Sequence, residues 1–341
     1  MDIATLPKTH LHLHLEGAIR PTTILDLYHR QGGVFADLTL DQVVARAQMT
    51  PADTSFLDFV KKFEFIMPCL REPDDLVRIT REIITDADAD GVKYVELRFC
   101  PHFIEALAGI PVLASIEAVI EGVRQGMADH PDVASTLTLI IDQTRGNAAG
   151  EEAVRWAARY REQGVSGVDI AGDPNVYPLT EYEPACKLAR DLGIGITVHA
   201  GETQGPQTVR IAVERLHATR IGHGIRAAED PAVLDLLLAR EITLEVSVSS
   251  NVYTRSVPSL EAHPLPRLLA AGVRVTFNTD DPGIFNLTLS EEYALLQRTF
   301  GLTLADFHRA NLHAVDAAFV GEGHKAALRA AIEAGYAAVE V

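Results

Sequence analysis

The 341-residue chain is poor in cysteine, short of basic side chains and without any long hydrophobic run. Each shortage removes a class of protein. The three cysteines, Cys69, Cys100 and Cys186, form no CxxC pair, and an odd number does not make a disulfide framework. Buried, inert thiols in a reducing, cytoplasmic setting are expected. Lysine and arginine number 30 against 47 aspartates and glutamates, a formal net charge of −17. Such a surface repels nucleic acid and anionic membranes, so neither is an expected partner. No stretch is apolar for long enough to span a bilayer, and Met1 to Pro7 has neither the basic nor the apolar part of a secretory leader. Low-complexity linkers and charge blocks are missing too.

What is present is a globular composition, 47% hydrophobic and 23% charged, with material for a large core. Short apolar, β-branched runs recur at Thr9–Leu15, Val92–Phe99, Thr136–Ile141, Val165–Ala171, Ile194–His199, Ala218–Gly222, Ile242–Val248 and Val273–Thr279. They read as buried strands. Helical patterns fill Asp74–Asp90, Ser115–Asp129, Gly150–Gln163, Glu181–Leu192, Thr208–Leu216, Pro231–Arg240 and His263–Ala271, several ending in glycine just before the next strand. Eight strands alternating with helices predict an α/β protein, a TIM-type (β/α)8 barrel over residues 1–341 as one domain. One connection is several times too long. Residues 17–91, with helical patterns at Pro21–Gln31 and Ser55–Pro68, are expected to form a helical insertion after strand one, covering the active-site mouth.

The chemistry-bearing residues fall at the ends of the strands. Strand one reads Thr9-His10-Leu11-His12-Leu13-His14-Leu15-Glu16-Gly17. Side chains two apart on a strand share a side, so His12 and His14 can reach one ion together, with His10 deeper in the barrel. Strand five ends Val198-His199-Ala200-Gly201-Glu202, strand six Gly222-His223-Gly224, and strand eight Asn278-Thr279-Asp280-Asp281-Pro282. Adjacent carboxylates after an apolar strand are costly unless a cation or hydrogen bonds hold them. Taken singly, a histidine pair, a Glu202 near a helix start or an Asp-Pro turn has a structural explanation. Three histidines and an aspartate converging on one barrel mouth favour a metal. Imidazole and carboxylate without thiolate suit zinc, with iron, cobalt and manganese as alternatives.

These stretches resemble the adenosine deaminase family of amidohydrolase-type barrels, over nearly the whole chain from Leu6 to about Glu322. The motifs are HLHLEGAIRP, FVKKFEFIMP, GVKYVELRFCPH, GVDIAGDP, ITVHAGET, RIGHG, SSN and NTDDPGIF; VHAGE, with HxH before it and NTDDP after, is highly specific. The resemblance implies one zinc ion per chain on His12, His14, His199 and Asp280. It implies hydrolytic deamination of the 6-amino group of adenosine or 2′-deoxyadenosine. Glu202 matches the proton shuttle to purine N1, and His223 the histidine that orients the attacking hydroxide. Asp281 matches the carboxyl that bonds N7, and Gly172 the glycine whose backbone N–H meets N3. Glu16 takes the place of a substrate-contacting acid, with His14 in the same pocket. The expected partner is a small purine nucleoside or base, and homo-oligomerisation is left open.

Two positions depart from the pattern. Glu16 stands where adenosine-specific members carry Asp, and Pro174 follows Gly-Asp where Glu is usual. Glutamate at the first is more typical of relatives acting on adenine or a 5′-modified nucleoside, because an added methylene reaches into ribose space. Adenine deaminase and aminodeoxyfutalosine deaminase are the alternatives, while the AGD turn, FVKKFEFIMP and RFCPH favour adenosine. A binding protein that kept the barrel and lost catalysis would lack a ligand or shuttle residue. None is missing.

Overall fold

The computed structural model describes residues 3–339 except Pro51 and Thr54. Met1 and Asp2, part of the stretch read as leader-free, and the last two residues of the chain lie outside the described residues. Eight parallel strands pair in sequence order: β1 (Lys8–His14), β2 (Val92–Phe99), β3 (Ala134–Asp142), β4 (Val165–Ala171), β5 (Gly195–Ala200), β6 (Arg220–His223), β7 (Thr243–Val246) and β8 (Arg274–Phe277). The seam closes where Leu13 bridges Asp280 in parallel and His14 N donates to Asp280 O at 2.9 Å. Beside it Asn278 Oδ1 accepts the backbone N–H of Leu11 and of His12, at 2.9 and 3.1 Å. A side-chain amide thus stands in for strand pairing beyond the short β8. The result is the expected TIM-type barrel.

Helices cover the outside, and the expected glycine stops hold. Gly91, Gly164, Gly193 and Gly272 all take positive φ, from 66° to 99°, at the turns into β2, β4, β5 and β8. Between β1 and β2 lie helices Pro21–Gln31, Leu40–Ala47, Phe56–Ile66 and Pro73–Ala89. Met49 N donates to Ile284 O at 2.8 Å, and the Phe59 ring stacks on Phe285 at 5.6 Å, so this insertion packs on the turn after β8. Among the described residues no single helix is long and apolar enough to cross a membrane. All three cysteines are free and buried, and burial pushes their thiols up, Cys186 to about 12.

The barrel interior is unusually polar. Alternate strand positions contribute Glu96, Arg98, Asp169, Thr197, Arg220 and Glu245, all with no exposed surface. Isolated charges there would be prohibitive, so they are paired. At the bottom, the Arg220 guanidinium lies 3.7 Å over the Phe319 ring, which caps the starts of β4 and β5. A Cβ on Gly195 would meet that ring at 2.5 Å. Gly195→Ala is therefore expected to cost roughly 1–3 kcal/mol through overpacking. Urea denaturation checks this, and an unchanged midpoint would mean the ring does not fill the barrel floor.

Candidate metal centre and active site

Each chemistry-bearing side chain leaves the top of a strand. β1 presents His12 and His14, β5 His199, β6 His223, and the residues just past β8 present Asp280. His12 Nε2 and His14 Nε2 are 3.2 Å apart, and they lie 3.0 and 3.2 Å from Asp280 Oδ1. The His199 ring centroid is 4.7 Å from that of His12 and 5.1 Å from that of His223. Room for two of these rings comes from Gly222, where a Cβ would stand 3.1 Å from His12 and 3.2 Å from His199. His223 and Asp280 hold left-handed backbone, φ 60° and 68°, which costs non-glycine residues about 1–3 kcal/mol and is typical of functional sites.

Carboxylates orient the rings. His12 Nδ1–H donates to Glu245 Oε2 at 2.9 Å, and His199 Nδ1–H to Asp169 Oδ2 at 3.0 Å, leaving both Nε2 lone pairs free. Arg98 in turn bridges Asp169 and Glu245 at 2.7 and 2.6 Å, and Arg220 pairs with Glu96 and Glu245 at 2.5 and 2.8 Å. Ser250 Oγ donates to Asp280 Oδ2 at 2.7 Å.

This donor set fits a divalent cation on two counts. Ligand atoms about 2.0–2.1 Å from zinc stand about 3.3 Å apart in a tetrahedron, close to the spacings found here. By formal charge, the guanidiniums of Arg98 and Arg220 stand against the carboxylates of Glu96, Asp169, Glu245 and Asp280, an excess of two negative charges among these six buried groups. A divalent ion offsets it.

Around the cluster sit the remaining expected residues. Glu202 Oε1 accepts from Ser256 Oγ at 3.1 Å, while its Oε2 is 3.8 Å from His223 Nε2. Asp281 is 3% exposed and its Oδ1 has no hydrogen-bond partner; burial, then the charges of Asp280, Glu16 and Glu202, pushes its carboxyl well above the usual carboxylate range. That carboxyl occupies space a side chain at Gly17 would fill, since a Cβ there would fall 1.7 Å from its Oδ1. Glu16 accepts from Cys100 N at 2.7 Å through Oε1, and its buried Oε2 is unpartnered. Burial raises it to about 7 against that bond. Gly172, at the end of β4, has φ 127°, a conformation that requires glycine.

The expected ligands and the residues beside them thus share one mouth, with one difference in grouping. The four residues whose ligand atoms all lie within 4.8 Å of one another are His12, His199, His223 and Asp280. His14 stands outside that set, though its Nε2 touches two of its members. Sequence reasoning missed the supports: Arg98, Asp169, Glu245, Ser250, Asn251 and His263. A signal existed for the first three, since a lone charge in an apolar strand must find a partner.

The adenosine deaminase family model matches residues 7–335. The adenosine deaminase of Klebsiella pneumoniae subsp. pneumoniae is 38% identical over 325 residues, which cover 95% of this chain and 97% of that protein. Among solved structures, the N6-mAMP deaminase of Arabidopsis has a TM-score of 0.86 at 31% identity, covering 97% of this chain and 99% of its own. An amidohydrolase of Burkholderia ambifaria with bound Zn has a TM-score of 0.90 at 28% identity, covering 99% and 92%. Similarity that runs the whole length of the barrel, in sequence as in structure, places this chain in the adenosine deaminase family, as a hydrolytic deaminase.

Proposed function

We propose that the enzyme replaces the 6-amino group of adenosine and 2′-deoxyadenosine with oxygen from water, releasing inosine or 2′-deoxyinosine and ammonia, with one zinc ion per chain. The observation that carries this reading is Asp281. A buried carboxyl beside the cluster, pushed well above the usual carboxylate range and with its Oδ1 unpartnered, suits donation to purine N7, which only accepts.

His12, His14, His199 and Asp280 would hold the ion. When bound it lowers the pKa of a water toward neutrality, supplying a nucleophile at working pH. The residues of the chain do the rest. C6 of a purine resists attack because conjugation is lost, and protonation of N1 by Glu202 lets the ring take up the electron pair. Glu202, left as a carboxylate, then takes the proton of the hydroxyl added at C6 and passes it to the amine, which departs as ammonia as the C6–N bond breaks and C6=O forms. Asp280 and His223 keep the attacking water on one face of the ring. The Gly172 N–H meets N3, and insertion residues 17–91 form a wall of the mouth through Phe59 against Phe285.

Glu16 sets the sugar side of the site. Its Oε1 is anchored on Cys100 N, so the unpartnered Oε2 is free to bond the ribose 5′-hydroxyl. Glu16→Ala should then lower kcat/KM for adenosine by a few kcal/mol of transition-state binding, on the order of 10²-fold, and spare adenine. A panel of adenosine, 2′-deoxyadenosine, adenine and aminodeoxyfutalosine, followed by ammonia release, tests substrate choice. Wild-type preference for adenine would mean Glu16 fills the ribose space. Preference for the 5′-aryl nucleoside would replace adenosine as the substrate while keeping the chemistry.

A further inference from the structure

His223 shares the ring of histidines but not their supports. Among the described residues no carboxylate pairs with its Nδ1; that atom faces Asn251 Nδ2 at 3.1 Å. Behind Asn251 lies His263, 3% exposed, whose Nε2 is 3.2 Å from Asn251 Oδ1. Behind His263 is a backbone group: Leu265 N donates to His263 Nδ1 at 3.1 Å, at the start of the helix Leu265–Ala270.

The direction of the chain of bonds follows from that last contact. A backbone N–H only donates, so His263 Nδ1 accepts and the ring proton of His263 sits on Nε2. His263 Nε2–H then donates to Asn251, which must turn its oxygen toward His263 and its amide N–H toward His223. His223 Nδ1 therefore accepts, and its proton sits on Nε2. Asn251 is itself fixed by its main chain, with N donating to Ser247 O and O accepting from Val257 N, both at 3.0 Å.

We infer that Leu265 N–H, His263 and Asn251 form a relay that fixes His223 as an Nε2–H hydrogen-bond donor, opposite in tautomer to His12 and His199. The assignment deepens the deaminase reading and rests on it for the role of His223 beside the attacking water. His12 and His199 donate through Nδ1 to carboxylates and keep Nε2 lone pairs for an ion. His223 presents a proton instead, so it is a donor within the set of four rather than a ligand. Its Nε2 is 3.8 Å from both Glu202 Oε2 and Asp280 Oδ2, beyond direct hydrogen bonding and spaced to serve an oxygen between them. His263 and Asn251 are positioning residues, acting through His223.

Histidine-selective 15N NMR of the zinc-loaded enzyme reads the tautomer directly, with the His223 signals assigned by their loss in His223→Gln. The expected spectrum has His223 protonated at Nε2, and His12 and His199 at Nδ1. A proton on His223 Nδ1 would overturn the inference. Asn251→Asp supplies the second readout: a carboxylate at Nδ1 draws the proton there and leaves Nε2 without one. In this variant kcat should fall on the order of 10²- to 10⁴-fold, with KM and zinc content near wild type. His263→Gln keeps a donor for Asn251 and should retain far more activity than His263→Leu; equal loss in both would reduce His263 to packing and overturn its place in the relay. If Asn251→Asp moves the proton to Nδ1 and kcat stays normal, the relay stands and the catalytic role of His223 falls.

Discussion

Glu202→Gln is expected to lower kcat for adenosine by at least about 10²-fold while leaving the bound metal in place. The carboxyl has the placement that the proposed proton transfer needs. One oxygen is anchored by Ser256 Oγ at 3.1 Å and Thr254 Oγ1 at 3.4 Å, and the Glu202 carbonyl accepts from Arg226 Nε at 2.7 Å. The other oxygen faces the mouth, 3.8 Å from His223. Glutamine keeps the shape and the anchoring acceptor, yet has no proton to give N1 and none to relay to ammonia. Glu202 is outside the tight ligand set, so metal content should match wild type. Steady-state kinetics with metal analysis checks both halves. A near-normal kcat would move the acid role to another residue, and loss of metal would make Glu202 a ligand.

The second large effect is on stability. Arg98→Met should destabilise the fold by about 3–5 kcal/mol, because a buried charge pair loses one partner and strands the other. The Arg98 guanidinium bonds Asp169, Glu245 and the Leu11 carbonyl at 2.7, 2.6 and 2.5 Å, all without solvent. Methionine fills most of the volume and none of the charge. Asp169 would then lose its arginine partner and Glu245 would keep only Arg220, while both still hold His199 and His12. Metal affinity should fall with stability. Chemical denaturation of the metal-loaded variant measures the loss, and a change below about 1 kcal/mol would mean that the interior charges are not coupled as described.

Much of the fold was legible because its signals are local. β2 and β4 fall where the apolar runs place them, and helix Pro21–Gln31 coincides with its pattern. Ser55 caps Phe56–Ile66 through a reciprocal bond with Asp58, which is why that helix begins one residue later than read. β7 and β8 are shorter than their apolar runs, since Val248 opens the helix Val248–Tyr253 and Asn278 leaves the sheet to close the seam. The helices Leu40–Ala47, Pro101–Ala108 and Leu289–Phe300 have no counterpart among the sequence patterns. The helix Leu304–Ala317, on which His308 and His313 are expected, is fastened by a contact no local pattern carries: Asn311 Oδ1 accepts from Thr9 N, 302 residues away, at 2.7 Å.

The site divides in the same way. His12, His14, His199, His223, Asp280 and Asp281 were visible as polar residues ending apolar strands. Their supports were not, because Glu245 meets His12 and Asp169 meets His199 only across a closed barrel. The helical pattern His263–Ala271 marks His263 only as the first residue of a helix, whereas its contact with Asn251, twelve residues back, forms through a loop. Composition says where charge must be neutralised, and only the fold says by what.

Metal held at His12, His14, His199 and Asp280 is proposed to drive adenosine deamination. The most direct test is to strip the metal with a chelator, verify its absence, and follow inosine formation during stepwise addition of zinc or cobalt. Activity should be absent at the start, rise in proportion to bound metal and level off at about one ion per chain. Full turnover of adenosine by verified metal-free protein would contradict the account.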